Sequence, residues 1–494
     1  MAEQFKNYID GKWIEAASGQ TFPSLNPADR SEVLGHFPRS DHRDVDRAVE
    51  AARRQYLRWR KVPAPKRAEI MFRGAELLLL RKKDLANLMT KEMGKILKES
   101  RGDVQEGIDM TYFIAGEGRR LLGETTPSEL PDKFAMSVRA PVGVVAAITP
   151  WNFPLAIPTW KIMPALVAGN TVVFKPAEET PLVATRLVEI MEEAGLPPGV
   201  LNLVHGLGEE AGAPLVRHPE VTLVSFTGSG EVGREVAIAA AAEHKRVSLE
   251  MGGKNAIIVM EDADLDLAIE GAIWGAFGTS GQRCTAASRI VVQRKVIKEF
   301  TDRFVERAEI LRLGDGLLPE TEMGPVINEA QLKRIHRYTK LGIKEGAKLL
   351  TGGEIYKKGD CAKGFFYLPT VFADASTKMR IAQEEIFGPT VAIIPVADLD
   401  EAIDVVNSTR YGLSSAIYTR DIGRAFKAMR EIEAGITYVN ASTIGAEVHL
   451  PFGGVRQSGN GHREGGNAAI DAFTEWKTLY IDFSGRLQRA QIDE

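Results

Sequence analysis

The sequence predicts an α/β protein of parallel sheets covered by helices, divided into two or three domains. Three observations predict it. From Gly143 onward short apolar runs, "VVAAIT", "TVVF", "LNLV", "TLVSF", "RVSLE" and "AIIVM", alternate with amphipathic stretches, as buried strands joined by crossover helices do. After Asp262 the alternation restarts. The chain has 494 residues, 44% of them hydrophobic, enough to bury more than one core.

Each element follows from local pattern. Val45, Ala48, Val49, Ala52, Tyr56 and Trp59 recur at helical spacing between Asp44 and Arg60, behind an Asp able to cap the first turn. Helices over Lys66 to about Met93 and about Ile96 to Leu122 complete a helical scaffold. The six apolar runs follow as strands, with a seam near Gly252-Gly253. Beyond it the pattern predicts a helix over Leu265–Thr279, a strand near Ile290, helices near Lys298–Ile310 and Glu329–Glu345, and strands near Val391, Ala416 and Tyr438. The polar tail "SGRLQRAQIDE" reads as a mobile arm or an oligomer contact.

Composition excludes several classes of function. Net charge is −4, from 62 basic and 66 acidic residues without a block of like charge, so nothing points to nucleic acid or an anionic membrane. No leader-like start and no apolar run long enough to cross a bilayer occur, and the protein is expected to be soluble and cytoplasmic. Two cysteines, Cys284 and Cys361, make no disulfide framework, and the eight histidines include no ligand pair, so no metal is expected.

Several short stretches carry chemistry. "FTGSGEVG" reads Gly-x-Gly-x-x-Gly across Gly228, Gly230 and Gly233, and Glu250 follows at the distance at which a ribose-binding acid is expected. Cys284 lies among small residues in "TSGQRCTAASR", where it reads as a nucleophile or as a small buried hydrophobe. Glu250 in "SLEMGGKN" ends a strand before two glycines, either facing a ligand or merely solvated. Asn152 in "TPWNFPLAIPTWK" follows a strand, where ligands of parallel sheets gather, or simply closes a turn. Lys175 and Glu178 form a sugar-diol clasp or a surface pair, and Glu385 with Phe387 in "AQEEIFGPT" offers a ring to a planar ligand or a plain apolar turn.

Taken jointly, "PWNFP", Lys175 with Glu178, the glycine turn, "LEMGGK", "GQRC", "EIFGP" and "PFGG" occur in the order and spacing of one family. The chain resembles the NAD(P)-dependent aldehyde dehydrogenases from "NYIDGKW" to "DAFTEWKT". The resemblance implies three parts. A doubly wound, Rossmann-like cofactor domain takes residues 1–118 and 142–252, an α/β catalytic domain takes 253–472, and a small β oligomerisation flap with the C-terminal arm takes 119–141 and 473–494. It also implies a homo-oligomer, a dimer or a dimer of dimers.

By that resemblance Cys284 is the nucleophile and Glu250 the base that activates water for thioester hydrolysis. Asn152 and the Cys284 N–H are the oxyanion donors, and Lys161 and Glu475 relay protons or form a structural pair. Relatives that pass the acyl group to coenzyme A lack the Glu, so a free acid is the expected product. NAD, with NADP as the other possibility, is implied along Ile148, Thr149, Pro150, Trp151, Asn152, Lys175, Glu178, Gly208, Phe226, Thr227, Gly228, Ser229, Val232, Glu250, Met251, Gly252, Cys284, Glu385 and Phe387. The ribose thus passes from Glu250 to Lys175 and Glu178, and Gly230, where relatives have Thr or Asn, is an accident of the motif.

The aldehyde is expected to meet Phe153, Ile157, Trp160, Arg283, Thr285, Ile444, His449 and Phe452. "PWNFPLAIPTWK", "LEMGGKN" and "GAEVHLPFGG" are most similar to 2-oxoglutarate semialdehyde (2,5-dioxopentanoate) dehydrogenases, with Arg283 or His449 meeting the distal carboxylate. Succinate-semialdehyde members carry arginines where this chain has Trp160 and Gly278, which makes broad-specificity oxidation of aliphatic or aromatic aldehydes the alternative. Use of the fold as a non-enzymatic scaffold is disfavoured because the nucleophile is kept. Cys361 is assigned no function.

Overall fold

A computed structural model describes residues 2–489 and 491. The last residues of the polar tail, 490 and 492–494, lie outside that range.

The six apolar runs are strands because both of their faces are covered. Along Val144–Ile148, Val145 and Ala147 enter the core under the helices Ala64–Leu80, Leu97–Glu117 and Ala156–Ala168. Val144 and Ala146 pack on the other side with Val45, Val49, Leu215 and Val236. A strand with no solvated face has no reason to alternate, which is why these runs read as continuously apolar. The sheet order is Arg246–Met251, Val221–Gly228, Val144–Ile148, Thr171–Lys175, Leu201–Leu203, Asn7–Ile9, Lys12–Ile14, parallel except for the last two strands.

Strand order reverses between Val144–Ile148 and Val221–Gly228. Successive strands run away from that point in both directions, and a crevice opens beyond their carboxyl ends. Three residues, Gly252, Gly253 and Lys254, separate this sheet from Asn255–Val259, the first strand of a second seven-stranded sheet. There Ala256, Ile258 and Val291 face one core, and Ile257, Val259, Ile290 and Val292 the other. A third, antiparallel sheet joins Glu124–Pro127, Lys133–Pro141 and Thr474–Asp482 and exposes Trp476, Tyr480, Ile481 and Phe483.

Some elements differ from the pattern reading. The helix expected over Lys66–Met93 is two, Ala64–Leu80 and Lys82–Met93, meeting at Arg81 (φ −99°, ψ 7°). Leu78 and Leu85 keep one face in phase, seven residues apart, across the charged residues between them, so periodicity alone could not reveal it. The first helix starts earlier than expected. Asp41 is its N-cap, and Asp44 is the reciprocal member of a capping box, its buried carboxylate also accepting from the Ala17 N–H at 3.0 Å. Cys361 lies in a short 3₁₀ turn, Gly359–Lys363, and is buried. Among the described residues no helix is long and apolar enough to cross a membrane.

Candidate active site

The crevice at the reversal point is a cavity of about 520 Å³. Ile148, Thr149, Pro150 and Trp151 continue one strand into it, and Phe226, Thr227, Gly228 and Ser229 the other; Lys175, Glu178, Gly208 and Val232 complete the wall. Ser229 caps the helix Gly230–Ala241, its hydroxyl accepting from the Val232 N–H at 3.3 Å, so the first free N–H groups of the helix face the cavity side. Gly233 is needed for packing, since a Cβ there would meet Met251 Sδ at 2.5 Å, whereas a Cβ on Gly230 would meet nothing within 4 Å. The third glycine of the motif therefore has a reason and the second has none.

Lys175 is buried at the strand end, and its Nζ donates to Glu178 Oε2 at 2.9 Å. Beside them stands Glu179, which the sequence did not flag. Burial and then the Glu178 charge push its carboxyl up to about 7, and Asn328 Nδ2 donates to it at 3.2 Å.

A smaller cavity of about 190 Å³ adjoins the first and is lined by Pro150, Trp151, Asn152, Met251, Gly252, Cys284, Glu385 and Phe387. The Trp151 and Phe387 rings meet edge to face at 5.4 Å between centroids. Glu385 Oε1 accepts from the Gly253 N–H at 3.0 Å, and a Cβ on Gly252 would fall 2.1 Å from the same oxygen, so only glycine admits this approach. Phe387 has φ +61°, and Gln331 Nε2 holds it there by donating to the carbonyls of Ile386 (3.0 Å) and Phe387 (2.6 Å). Arg334 donates to the Glu385 carbonyl at 2.7 Å. Gln331 and Arg334 lie on the helix Glu329–Lys344, and nothing in their sequence setting distinguished them from a solvated helix face.

On the far side of Cys284 lies a third cavity, of about 130 Å³, lined by Phe153, Ile157, Trp160, Glu250, Arg283, Thr285, Ile444 and Phe452 among others. Cys284 follows the turn Gly278–Gly281, in which Thr279 (φ 53°) and Ser280 (φ 55°) are left-handed. Glu99 fixes that turn by accepting from the Thr279 N–H at 2.7 Å. Asn255 Nδ2 holds the Cys284 carbonyl at 2.7 Å. Burial first, then the charges of Glu385 and Glu250, push the Cys284 thiol up to about 12.

Glu250 ends its strand buried in the wall of the same cavity. Burial, and then Glu464, raise its carboxyl well above the ordinary range, against the pull of Lys161. Asn152 Nδ2 spends one N–H on the Gln282 carbonyl at 3.1 Å and keeps the other. The Asn152 backbone carbonyl is tied by the buried Lys95, which donates at 2.6 Å and also pairs with Asp103 at 2.9 Å. Among the described residues nine buried side-chain polar atoms lack a hydrogen-bond partner. Four of them, on Asn152, Trp160, Thr227 and Glu250, belong to residues lining these cavities.

Two expected residues are elsewhere. Glu475 is 56% exposed on the edge strand Thr474–Asp482, paired with Arg246 at 2.8 Å. The partner of Lys161 is Glu464, buried in the Cys284 cavity. The strand carries Glu475 outward, whereas "HREGG" turns Glu464 back beside Phe452 through paired backbone hydrogen bonds. His449 also misses the cavity: its side chain is 55% exposed and 3.4 Å from Glu447. Glu106, unflagged by the sequence, lines the cavity instead.

A family model described as "Aldehyde dehydrogenase family" matches residues 13–479. The alpha-ketoglutaric semialdehyde dehydrogenase of Bacillus subtilis (strain 168) is 42% identical over 477 residues, 97% of this chain and 98% of the relative. The 2,5-dioxopentanoate dehydrogenase of Saccharolobus solfataricus is 42% identical over 472 residues, 95% and 98% of the two chains. Among solved structures, betaine aldehyde dehydrogenase of Staphylococcus aureus in complex with NAD+ superposes with a TM-score of 0.95 at 37% identity, covering 98% of this chain and 95% of that one.

Proposed function

Because the chain belongs to the aldehyde dehydrogenase family, and so is an NAD(P)-dependent oxidoreductase, we propose that it oxidises an aldehyde to the free acid at Cys284, with NAD in the crevice. The observation that carries this reading is the placement of Cys284 and Glu250 on one cavity that adjoins the crevice.

Cys284 Sγ attacks the carbonyl carbon, and its proton leaves to Glu250, whose carboxylate burial and Glu464 make more basic than an ordinary one. The second N–H of Asn152 Nδ2 receives the oxyanion together with the Cys284 backbone N–H. Bound along the crevice, NAD supplies the acceptor for the hydride that leaves the adduct carbon. Glu250 then takes a proton from water, the water oxygen attacks the thioester carbon, and the Cys284 sulfur leaves. Between the two steps Glu250 passes its proton to the neighbouring Glu464 carboxylate, the partner of Lys161, and from there to solvent, which frees it to take the second proton from water.

The residues present suit a dinucleotide. Capping N–H groups meet phosphate, Lys175 and Glu178 meet the adenosine ribose, and Glu385 the other ribose. The Glu178 carboxylate repels a 2′-phosphate, so steady-state kinetics are expected to favour NAD over NADP, and Glu178→Gln to erode that preference by about tenfold. A clear preference for NADP in the wild type would overturn the assignment. Asn152→Ala is expected to lower kcat by about 10²–10³ while NAD affinity, read by fluorescence titration, stays near its original value. Unchanged turnover removes Asn152 from the mechanism.

The names of the relatives support a semialdehyde substrate. One specific observation favours the second reading, a range of aldehydes without a carboxylate. Arg283 is held by Glu99 at 3.3 Å and by the Trp274 and Phe153 ring faces, and His449 points elsewhere. The exposed apolar residues of the antiparallel sheet support assembly of this chain into a homo-oligomer.

A further inference from the structure

The helix Leu97–Glu117 presents three acids to the active site on one face, Glu99, Asp103 and Glu106, spaced i, i+4, i+7. The first two have partners. Glu99 accepts from the Thr279 N–H and from Arg283, and Asp103 accepts from Lys95 at 2.9 Å and from the Ala156 N–H at 2.8 Å. Glu106 makes no such bond among the described residues, and it lines the same cavity as Cys284.

We propose that Glu106 determines the specificity of the tunnel, selecting aldehydes whose far end carries a hydrogen-bond donor, an ammonium or a hydroxyl, over those that end in a carboxylate. The proposal rests on the aldehyde-oxidising reading of Cys284 and deepens it.

The charges of the cavity agree. Its acids are Glu106, Glu250 and Glu464, and its one lining cation, Arg283, already has Glu99. Lys161 belongs to Glu464 and Lys95 to Asp103. A carboxylate arriving at Glu106 therefore finds no uncommitted cation among the lining residues, and a donor finds two unused oxygens. Burial, and then Asp103, push the Glu106 carboxyl up to about 8; Arg283 and Lys95 pull the other way, and Asp109 adds to the rise. An acid raised by burial and a neighbouring carboxylate is stabilised in its charged form by the arrival of a cation. The apolar remainder, Phe153, Ile157, Ile444 and Phe452, suits a short methylene chain between the two ends.

The test compares kcat/KM, at saturating NAD, for 3-aminopropanal, for butanal, which matches it in heavy-atom count and shape, and for succinic semialdehyde. The wild type is expected to favour 3-aminopropanal over succinic semialdehyde by about tenfold or more. Glu106→Gln, which keeps the shape, is expected to cut the ratio of 3-aminopropanal to butanal by about tenfold. Glu106→Arg is expected to reverse the order of amine and carboxylate. A wild type that prefers succinic semialdehyde, or a ratio that neither variant moves, overturns the role of Glu106 and leaves aldehyde oxidation standing. No NADH from any of the three aldehydes overturns both, because the selection rests on that chemistry.

Discussion

Replacing Cys284 with alanine is expected to abolish aldehyde-dependent NADH formation, by on the order of 10⁶ in kcat, while NAD still protects the protein against thermal unfolding. The size follows from the proposed role, since without a sulfur there is no adduct from which hydride can leave. Retained protection follows from the geometry. Most of the crevice wall, from Ile148 and Lys175 to Gly228 and Ser229, belongs to strands and a helix that do not touch residue 284. Ligand that binds only the folded state stabilises it by mass action, so the thermal shift reads the crevice separately from the chemistry. Residual turnover above about 1% in Cys284→Ala moves the nucleophile elsewhere, and Cys361, in its buried 3₁₀ turn, is no candidate.

Glu250→Gln is expected to lower kcat by about 10²–10⁴ with a KM for NAD near that of the wild type, and to leave an acylated Cys284 visible in the intact mass. A ribose ligand behaves in the opposite way, raising the KM for NAD with kcat largely kept. The pH profile has a defined sign. The Glu250 carboxyl is raised by burial and by Glu464, and its protonated form can take no proton from the thiol or from water, so kcat falls as pH drops through that raised value. Burial and the charges of Glu385 and Glu250 push the Cys284 thiol up as well, so it depends on Glu250 to take its proton. In Glu250→Gln the acidic limb should vanish. A limb that persists assigns it to another group and removes Glu250 as the base.

The elements of this protein were legible wherever burial was two-sided or strongly one-sided. Val144–Ile148 and Asn255–Val259 read as strands because helices cover both faces, and the amphipathic helices declared themselves by their stripe. The break at Arg81 was illegible because the buried stripe resumes in phase beyond it, Leu85 seven residues after Leu78. The short strands Asn7–Ile9 and Lys12–Ile14 were too brief to show a period.

For the site, the sequence by itself determined the residues whose neighbours are unusual: Cys284 among small residues, Asn152 between Trp and Phe-Pro, Glu250 before two glycines. These lie where the chain must approach itself or a ligand closely, and such places demand particular residue types. The Gly252 approach to Glu385 is the clearest case. Only the tertiary structure decided which acid meets Lys161, which acid enters the tunnel, and which side chains hold Phe387 in its left-handed conformation. Glu464, Glu106 and Gln331 sit in stretches that are locally ordinary for a turn or a polar helix face. Their roles come from what packs opposite them: Lys161 303 residues away, a cavity walled by several distant segments, and carbonyls on a distant loop. Such pairings are absent from any window of sequence, because the free energy of a charge or donor is set by partners in space, and burial makes those partners count.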